Sequence, residues 1–473
     1  MNKIYVFASF FSSFSLCFSN PVDASPSALW GFHGEAWKVG KRLPDFSYAG
    51  YHRGEAPIPD RIAEADVTAF GAVGNGITDD GAAFQRAIDA SPGKVIFIPP
   101  GTYVINQQLR IIGQSGTVLR GAGRDLTTLL FKKSLEQMFP GTNTPYPGSI
   151  FGLYHAYGGV IFLGARDDKK AVFPQSVIGK VTAAAAQGST SLTVSKGAAL
   201  QVGKDYLISM FSSDSHNKTL PTYLLEGDLT SFTMSPVPIQ ANFGFRVTSI
   251  SGNQVTIDRP LPFEIKTSWT SNILPAKMSS EECGIEDLTV AFARSRYVAP
   301  EPGYNGILFQ YTRNSFIRRL RIKNSDNAII LRGCYNNTVD DIILESNASP
   351  QTLSGHFGLF FHVSFDNLAQ NIAFKSTFGH GLSVYNSHLN VCKNSSNVGK
   401  ASLSIDHRGS IPTRNLFSNI TAQIPFGTSG DSGTEGVKAG QYETYWNVRG
   451  VTSNWPSIFG KATKNIVGAT GKS

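Results

Sequence analysis

Four short segments in the C-terminal half align on one another: AIILRG from Ala328, GLFFHV from Gly358, GLSVYN from Gly381 and SLSIDH from Ser402. In each, the second and fourth residues are apolar and the third and fifth are free to differ, as expected of strands with one face in a core and the other outside it. The fifth positions are Arg332, His362, Tyr385 and Asp406, with His356, Phe360, His380, His407 and Arg408 close by in the chain. Stacked on successive strands, these residues form an outward column of ionisable groups. Such a set can move protons and hold an anion: histidine and tyrosine exchange a proton, arginine pairs with a carboxylate, and a lone aspartate orients a histidine.

The elements that must position this column follow from a second repeat. SFIRRLRI from Ser315, NTVDDIIL from Asn337, NLAQNIAF from Asn367, NVCKNSS from Asn390 and NLFSNITA from Asn415 begin 22, 30, 23 and 25 residues apart. A period of that size is one coil of a parallel β-solenoid, with coils stacked about 4.8 Å apart. The recurrent asparagine suits a turn whose side-chain amides bond from coil to coil.

Composition agrees. The chain has 473 residues, 41% apolar and only 16% charged, with 47 glycines and 32 phenylalanines, which suits strands and turns better than helices. Residues 1–24 carry an early lysine, an apolar stretch from Ile4 to Phe18 and small residues before a cut at Ala24, so they read as a signal peptide and the protein as secreted or periplasmic. That stretch is too short and serine-rich to span a membrane. A formal charge of +8, scattered rather than in runs, points to a polyanionic partner, and for an exported protein to an acidic polysaccharide rather than nucleic acid or a membrane. Cys283, Cys334 and Cys392 show no metal-type spacing and imply no disulfide framework. No cluster of three carboxylates suggests calcium, and no cofactor or metal is expected.

The expected organisation is an N-terminal extension at 25–65, first coils with a capping helix at 66–133, an insertion holding a small antiparallel β subdomain at 134–280, main coils at 281–460 and a tail at 461–473. The turn at Gly252-Asn253, flanked by alternating residues, marks a hairpin within the insertion. In ADVTAFGAVGNGITDDGAAFQRAIDA, Phe84 and Ile88 lie four apart on one helical face, and Asp79 and Asp80 suit its N-cap and first turn rather than catalysis.

That stretch, followed by KVIFIPPGTYVI, resembles the N-terminal signature of the pectate-lyase-like, or pectin-lyase-fold, right-handed parallel β-helix superfamily of polysaccharide lyases and glycoside hydrolases. The resemblance implies an all-β right-handed solenoid whose first coil is capped by the helix. It also brings polygalacturonases to mind at Phe378-Gly379-His380-Gly381, where that family has a Gly-His-Gly stretch. The chain departs from them: HFGLFFHVS lacks the paired aspartates one coil earlier, Asp340-Asp341 falls in the asparagine-turn segment, and Arg321-Ile322-Lys323 precedes Gly-His-Gly instead of following it.

Hydrolysis needs two carboxylates across the glycosidic bond, whereas elimination at a uronic acid needs a cation, a base and an acid. With Asp406 as the column's one carboxylate, the expected activity is a polysaccharide lyase acting by β-elimination. His380, Tyr385, His362, Asp406 and His407 are the candidate catalytic residues, and Arg332, Arg408, His356 and Phe360 the candidate substrate contacts. A polygalacturonase-like hydrolase and a non-catalytic glycan-binding β-helix are the alternatives.

Overall fold

The computed structural model describes residues 27–140, 158–165, 176–196, 198–212, 218–229, 239–278, 280–294, 296–408, 411–421, 439–451, 462–468 and 470–471. The signal-peptide reading at 1–24 lies outside them. Two compact units are present, divided at Trp37. In the smaller one, residues 27–37 form turns in which the Glu35 carboxylate accepts from the backbone amides of Phe32 and His33.

The larger unit is built on parallel coils. Strands Leu109–Ile112, Ile161–Gly164, Ile307–Gln310, Asn327–Arg332, Leu353–His362, Thr377–Tyr385 and Ile405–Arg408 pair in parallel into one sheet. A second, longer parallel sheet runs through Phe316–Lys323, Thr338–Glu345, Leu368–Phe374, Val391–Asn397, Leu416–Thr421 and Thr444–Val451. It is folded lengthwise by a column of left-handed residues, Asp287, Arg319, Asp341, Asn371, Asn394, Asn419 and Asn447, with φ between 50° and 60°. Asparagine and aspartate tolerate this conformation best, and Arg319 is held in it by two 2.6 Å bonds to the Asp287 carboxylate. The bend turns two sheets into three faces around one core that runs from Val67 to Val448.

The asparagines of the repeat form a buried ladder. Asn337 Nδ2 donates to Asn367 Oδ1 (3.1 Å), Asn367 to Asn390 (2.9 Å), Asn390 to Asn415 (3.0 Å) and Asn415 to Glu443 Oε1 (2.8 Å). Each oxygen also accepts the backbone amide of the coil before it. Donation runs one way along the column, so it must end on a group that only accepts, and Glu443 is that group.

The N-terminal helix, Gly81–Ala90, buries Phe84, Ala87 and Ile88 against the first coil. Asp79 lies outside the helix, at the end of the strand Asn75–Asp79 and one residue before the N-cap, and accepts from the Gly81 amide. Asp80 stands at the N-cap, but its carboxylate turns back to hold the glycine loop through the amides of Val73 and Gly74. Neither aspartate lies near the outward column.

Within 134–280, Ile161–Gly164 is a strand of the solenoid, seated between Leu109–Ile112 and Ile307–Gln310. Gly179–Pro275 supplies an antiparallel sheet of six described strands, including a hairpin closed by Gly252-Asn253. This subdomain lies against the solenoid turns. Arg259 and Asp366 make a fully buried ion pair at 2.6 Å across the junction, and Leu389 and Ile411 of the solenoid pack into the subdomain's own core.

The stretch between Arg42 and Asp66 is a strap along the solenoid. It bonds to Asn465 at Arg42, to Asp366 at Gly50, to Thr338 at Tyr51 and to Asn314 at His52, then to Val95 at Glu64, before pairing as a strand with Ile96-Phe97. One segment thus ties late coils to the first.

Two outcomes follow from this packing. Replacing Asn390 by Asp removes the donor to Asn415 and buries a charge against the Ser364 carbonyl, so urea unfolding should show a loss on the order of 3 kcal/mol. His388 is sealed at the junction, 2.6 Å from the Gln240 carbonyl, and burial lowers its pKa from 6.5 to about 4. The unfolded chain takes up that proton first as pH falls, so this residue's contribution is complete above pH 6.5 and lost between there and about 4. Going from pH 7 to 5 should cost about 2 kcal/mol through His388, and thermal melts of His388→Gln should lack that part of the pH dependence.

Candidate functional site

The outer face of the shorter sheet carries the predicted residues. Its register sets Gln310, Arg332, His362, Tyr385 and Arg408 in one column, and Leu308, Ile330, Phe360, Ser383 and Asp406 in the column two residues earlier. Asp406 was expected beside Tyr385 and instead pairs with Ser383. The strand at Ser402 begins late: Gly381 N bonds to Ser404 Oγ, and the ladder opens only at Leu382 with Ile405. A slip of two preserves the face and changes the neighbour.

That slip puts Asp406 against His380. The Asp406 Oδ2 to His380 Nδ1 contact is 2.8 Å, with the aspartate side chain 2% exposed and the imidazole 18%. A sealed carboxylate therefore grips one edge of a ring that reaches solvent. Phe357 stacks on the same imidazole at 5.1 Å between centroids, and Phe360 stacks on Phe357 at 4.3 Å.

A second such pair lies behind the first. His356 Nδ1 is 3.0 Å from Glu301 Oε1, both side chains are sealed, and the His356 and His380 rings are 5.0 Å apart. The Tyr297 hydroxyl donates to the same Glu301 carboxylate. Burial pushes the Glu301 carboxyl up, but the bonds from His356 and Tyr297 outweigh it and hold it below the usual range. Beside them Asp326, ion-paired with Arg294 at 3.1 Å and accepting the amides of Gly303 and Tyr304, is raised by burial to about 6.

Tyr385 and His362 stack face to face at 4.7 Å, and Arg332 lies next to His362 in the ladder. Arg332 and His362 are each only 7% exposed, so the open part of the face is narrow and centres on His380 and Tyr385.

Three expectations are corrected. His407 points into the core, because it follows the outward Asp406 in a strand; its Nε2 is 3.3 Å from Glu443 and 3.2 Å from the Tyr445 hydroxyl, with no exposure. His356 and Phe360 are buried partners of Glu301 and Phe357 rather than surfaces open to a substrate. Asp406 is not the neighbourhood's only carboxylate, since Glu301 and Asp326 join it. Asp326 had a legible signal, lying one residue before an aligned strand and passing its carbonyl to the His356 amide. Glu301 and Tyr297 belong to a connection without repeat, where nothing in the sequence marks them. The side chain of Arg408 lies outside what is described. Among the described residues, no group of three His, Cys, Asp or Glu is arranged to hold a metal ion. The three described cysteines, Cys283, Cys334 and Cys392, are buried and unpaired with one another.

Residues 65–201 match the family model described as rhamnogalacturonase A/epimerase, pectate lyase-like. The chain is 34% identical over 110 residues to a glucan 1,3-beta-glucosidase of Cochliobolus carbonum, a match covering 20% of this chain and 14% of that protein. It is 36% identical over 69 residues to the pre-neck appendage protein of Bacillus phage phi29, covering 15% and 8%. Among solved structures, the tailspike protein gp49 of Pseudomonas phage LKA1 superposes with a TM-score of 0.51 at 16% identity, over 82% of this chain and 59% of the tailspike. The chain thus spans less than two thirds of each relative's length. Its parallel coils, helical cap and stacked asparagines give it the parallel β-helix fold of that tailspike, and its residues 65–201 carry the pectate lyase-like family model.

Proposed function

We propose that the protein is an exported polysaccharide lyase that cleaves a uronic-acid-containing chain by β-elimination over the outer face of the shorter sheet. The observation that carries this reading is the His380–Asp406 contact, a surface imidazole backed by a sealed carboxylate. The carboxylate holds the ring through Nδ1, so proton exchange with substrate falls to Nε2.

In the proposed reaction a guanidinium, Arg332 or Arg408, pairs with the substrate carboxylate and stabilises the charge that develops there. His380 takes the proton on the carbon beside that carboxylate. The electron pair forms a carbon–carbon double bond, and the glycosidic oxygen on the next carbon leaves. Tyr385, oriented by its stack with His362, returns a proton to that oxygen. The products are an unsaturated uronate and a new reducing end. The glucosidase relative supports a glycan as substrate, and the phage appendage relative supports a protein exposed outside the cell.

Hydrolysis is the second reading. It is favoured by Asp326, raised to about 6 as a general acid requires, together with Glu301 and Asp406 nearby. Against it, all three side chains are essentially sealed, whereas a hydrolase carboxylate must reach the glycosidic oxygen.

Incubation with a panel of pectic, alginate-like, glycosaminoglycan and algal polysaccharides should yield both ultraviolet absorbance from the unsaturated uronate and new reducing ends. Reducing ends without absorbance would establish hydrolysis, and neither signal would leave a glycan-binding protein. On the substrate that is cleaved, His380→Ala should lower kcat about 100- to 10,000-fold. Asp406→Asn, which loosens the hold on the ring, should lower it less, roughly tenfold or more. Full activity in both His380→Ala and Tyr385→Phe would refute the assignment.

A further inference from the structure

On the opposite side of the coils, the longer sheet and the strap enclose a cleft of about 690 Å³. One wall presents Arg318, Arg319, Asp340, Asp341, Gln370 and Asn371. The ladder sets Arg318, Asp340 and Gln370 side by side on three successive coils. The other wall is apolar and made by the strap, chiefly Ala56 and Ile58.

Two features mark this as a built site. First, its polar wall is locked before any ligand arrives. Arg319 is bonded bidentately to Asp287, Arg318 is paired with Glu286, Asp341 with Arg124, and Asn371 donates to Asp340 at 2.7 Å. Groups so held lose little freedom on binding. Secondly, the strap is strained between two residues that line the cleft, Tyr51 and Gly54. His52 and Arg53 both take left-handed backbone, φ 47° and 61°, between Gly50 and Gly54 at φ 98° and 67°. Arginine does not favour that region, and both residues are pinned from outside, His52 by Glu282 at 2.7 Å and Arg53 by Asp258 at 2.5 Å. Backbone held in such a shape clusters at active sites, ligand clamps and switch regions.

The chemistry of the wall identifies the ligand. Two arginines and two aspartates cancel, and each already has a protein partner, so no net charge is offered to an ion. What remains is a flat array of carboxylate oxygens, amides and guanidinium edges facing an aliphatic wall. That combination suits vicinal hydroxyls on one side of a sugar ring and its C–H face on the other. Three coils at about 4.8 Å span roughly 10 Å, the length of about two pyranose rings.

We infer that this cleft is a second, non-catalytic glycan site, taking a neutral oligosaccharide stretch of the polymer while the His380 face handles the uronate. The inference rests on the reading of the protein as polysaccharide-directed, but not on its reaction.

Calorimetric titration of the full chain with neutral gluco-, manno-, galacto- and xylo-configured tetrasaccharides, beside a uronate tetrasaccharide, tests it without turnover. At least one neutral sugar should bind with a Kd of about 1 mM or tighter. Ala56→Trp, which fills the cleft from an exposed strap position, and Gln370→Ala should each weaken that binding at least tenfold, with the circular dichroism spectrum and melting temperature unchanged. His380→Ala should leave it intact while lowering kcat as above. No binding of any neutral sugar, undiminished binding in Ala56→Trp, or binding of the uronate sugar alone would overturn the inference. Loss of the elimination reading with neutral-sugar binding retained would leave it standing.

Discussion

Everything in the larger unit depends on satisfying polar groups inside the stack of coils. Four successive turns bury an asparagine whose oxygen receives two N–H groups or one and whose amide must find acceptors, and the neighbouring coil supplies them. An asparagine can both give and accept, so the column extends indefinitely until an acceptor-only side chain ends it. Glu443 ends it here, with His407 against it as the nearest compensating group. A residue of the inferred outward face is thereby recruited to stabilise the interior.

Because the ladder fixes coil on coil, side chains on the outer faces are placed by register alone. This is how His380 and Asp406, on adjacent strands and two positions out of line, come into contact without any loop to bring them together. It is also how the aromatic floor of Phe357 and Phe360 and the second pair, His356 with Glu301, lie behind them. Sites on rigid strands hold their geometry more closely than sites on loops, which suits chemistry that depends on aligning a proton donor and acceptor.

A solenoid has only nearest-neighbour contacts, so its ends fray unless something spans them. Two devices add longer reach. The strap crosses from Asn465 to Val95 and binds coils that never touch each other. The antiparallel subdomain is pinned to the turns by Arg259 on Asp366, with Asp205 gathering Arg53, Arg246 and Arg313 beside it. A buried charge pair of this kind specifies position more than it stabilises, because desolvation offsets most of the attraction. The subdomain therefore sits in one place on the coils rather than sliding along them.

The solenoid, its helical cap, the asparagine turns and the hairpin at Gly252-Asn253 were legible in the sequence, because each rests on a local rule: a period, an alternation, a helical face, a turn dipeptide. So was the grouping of histidines, arginine and tyrosine on one outer face, since strand alternation alone separates inward from outward. Alignment by eye could not settle pairing, because a slip of two leaves every side chain on its own face and changes only its neighbour; hence Asp406 was matched to Tyr385 when it belongs beside Ser383 and His380. Nor could the sequence place Glu301, Tyr297 and Arg294, which stand on a connection without repeat, or show that His407 turns inward to Glu443. Apart from the local Tyr297–Glu301 bond, those contacts join residues 30 to 60 positions apart that share no pattern, and only the stacking of the coils decides which of them meet.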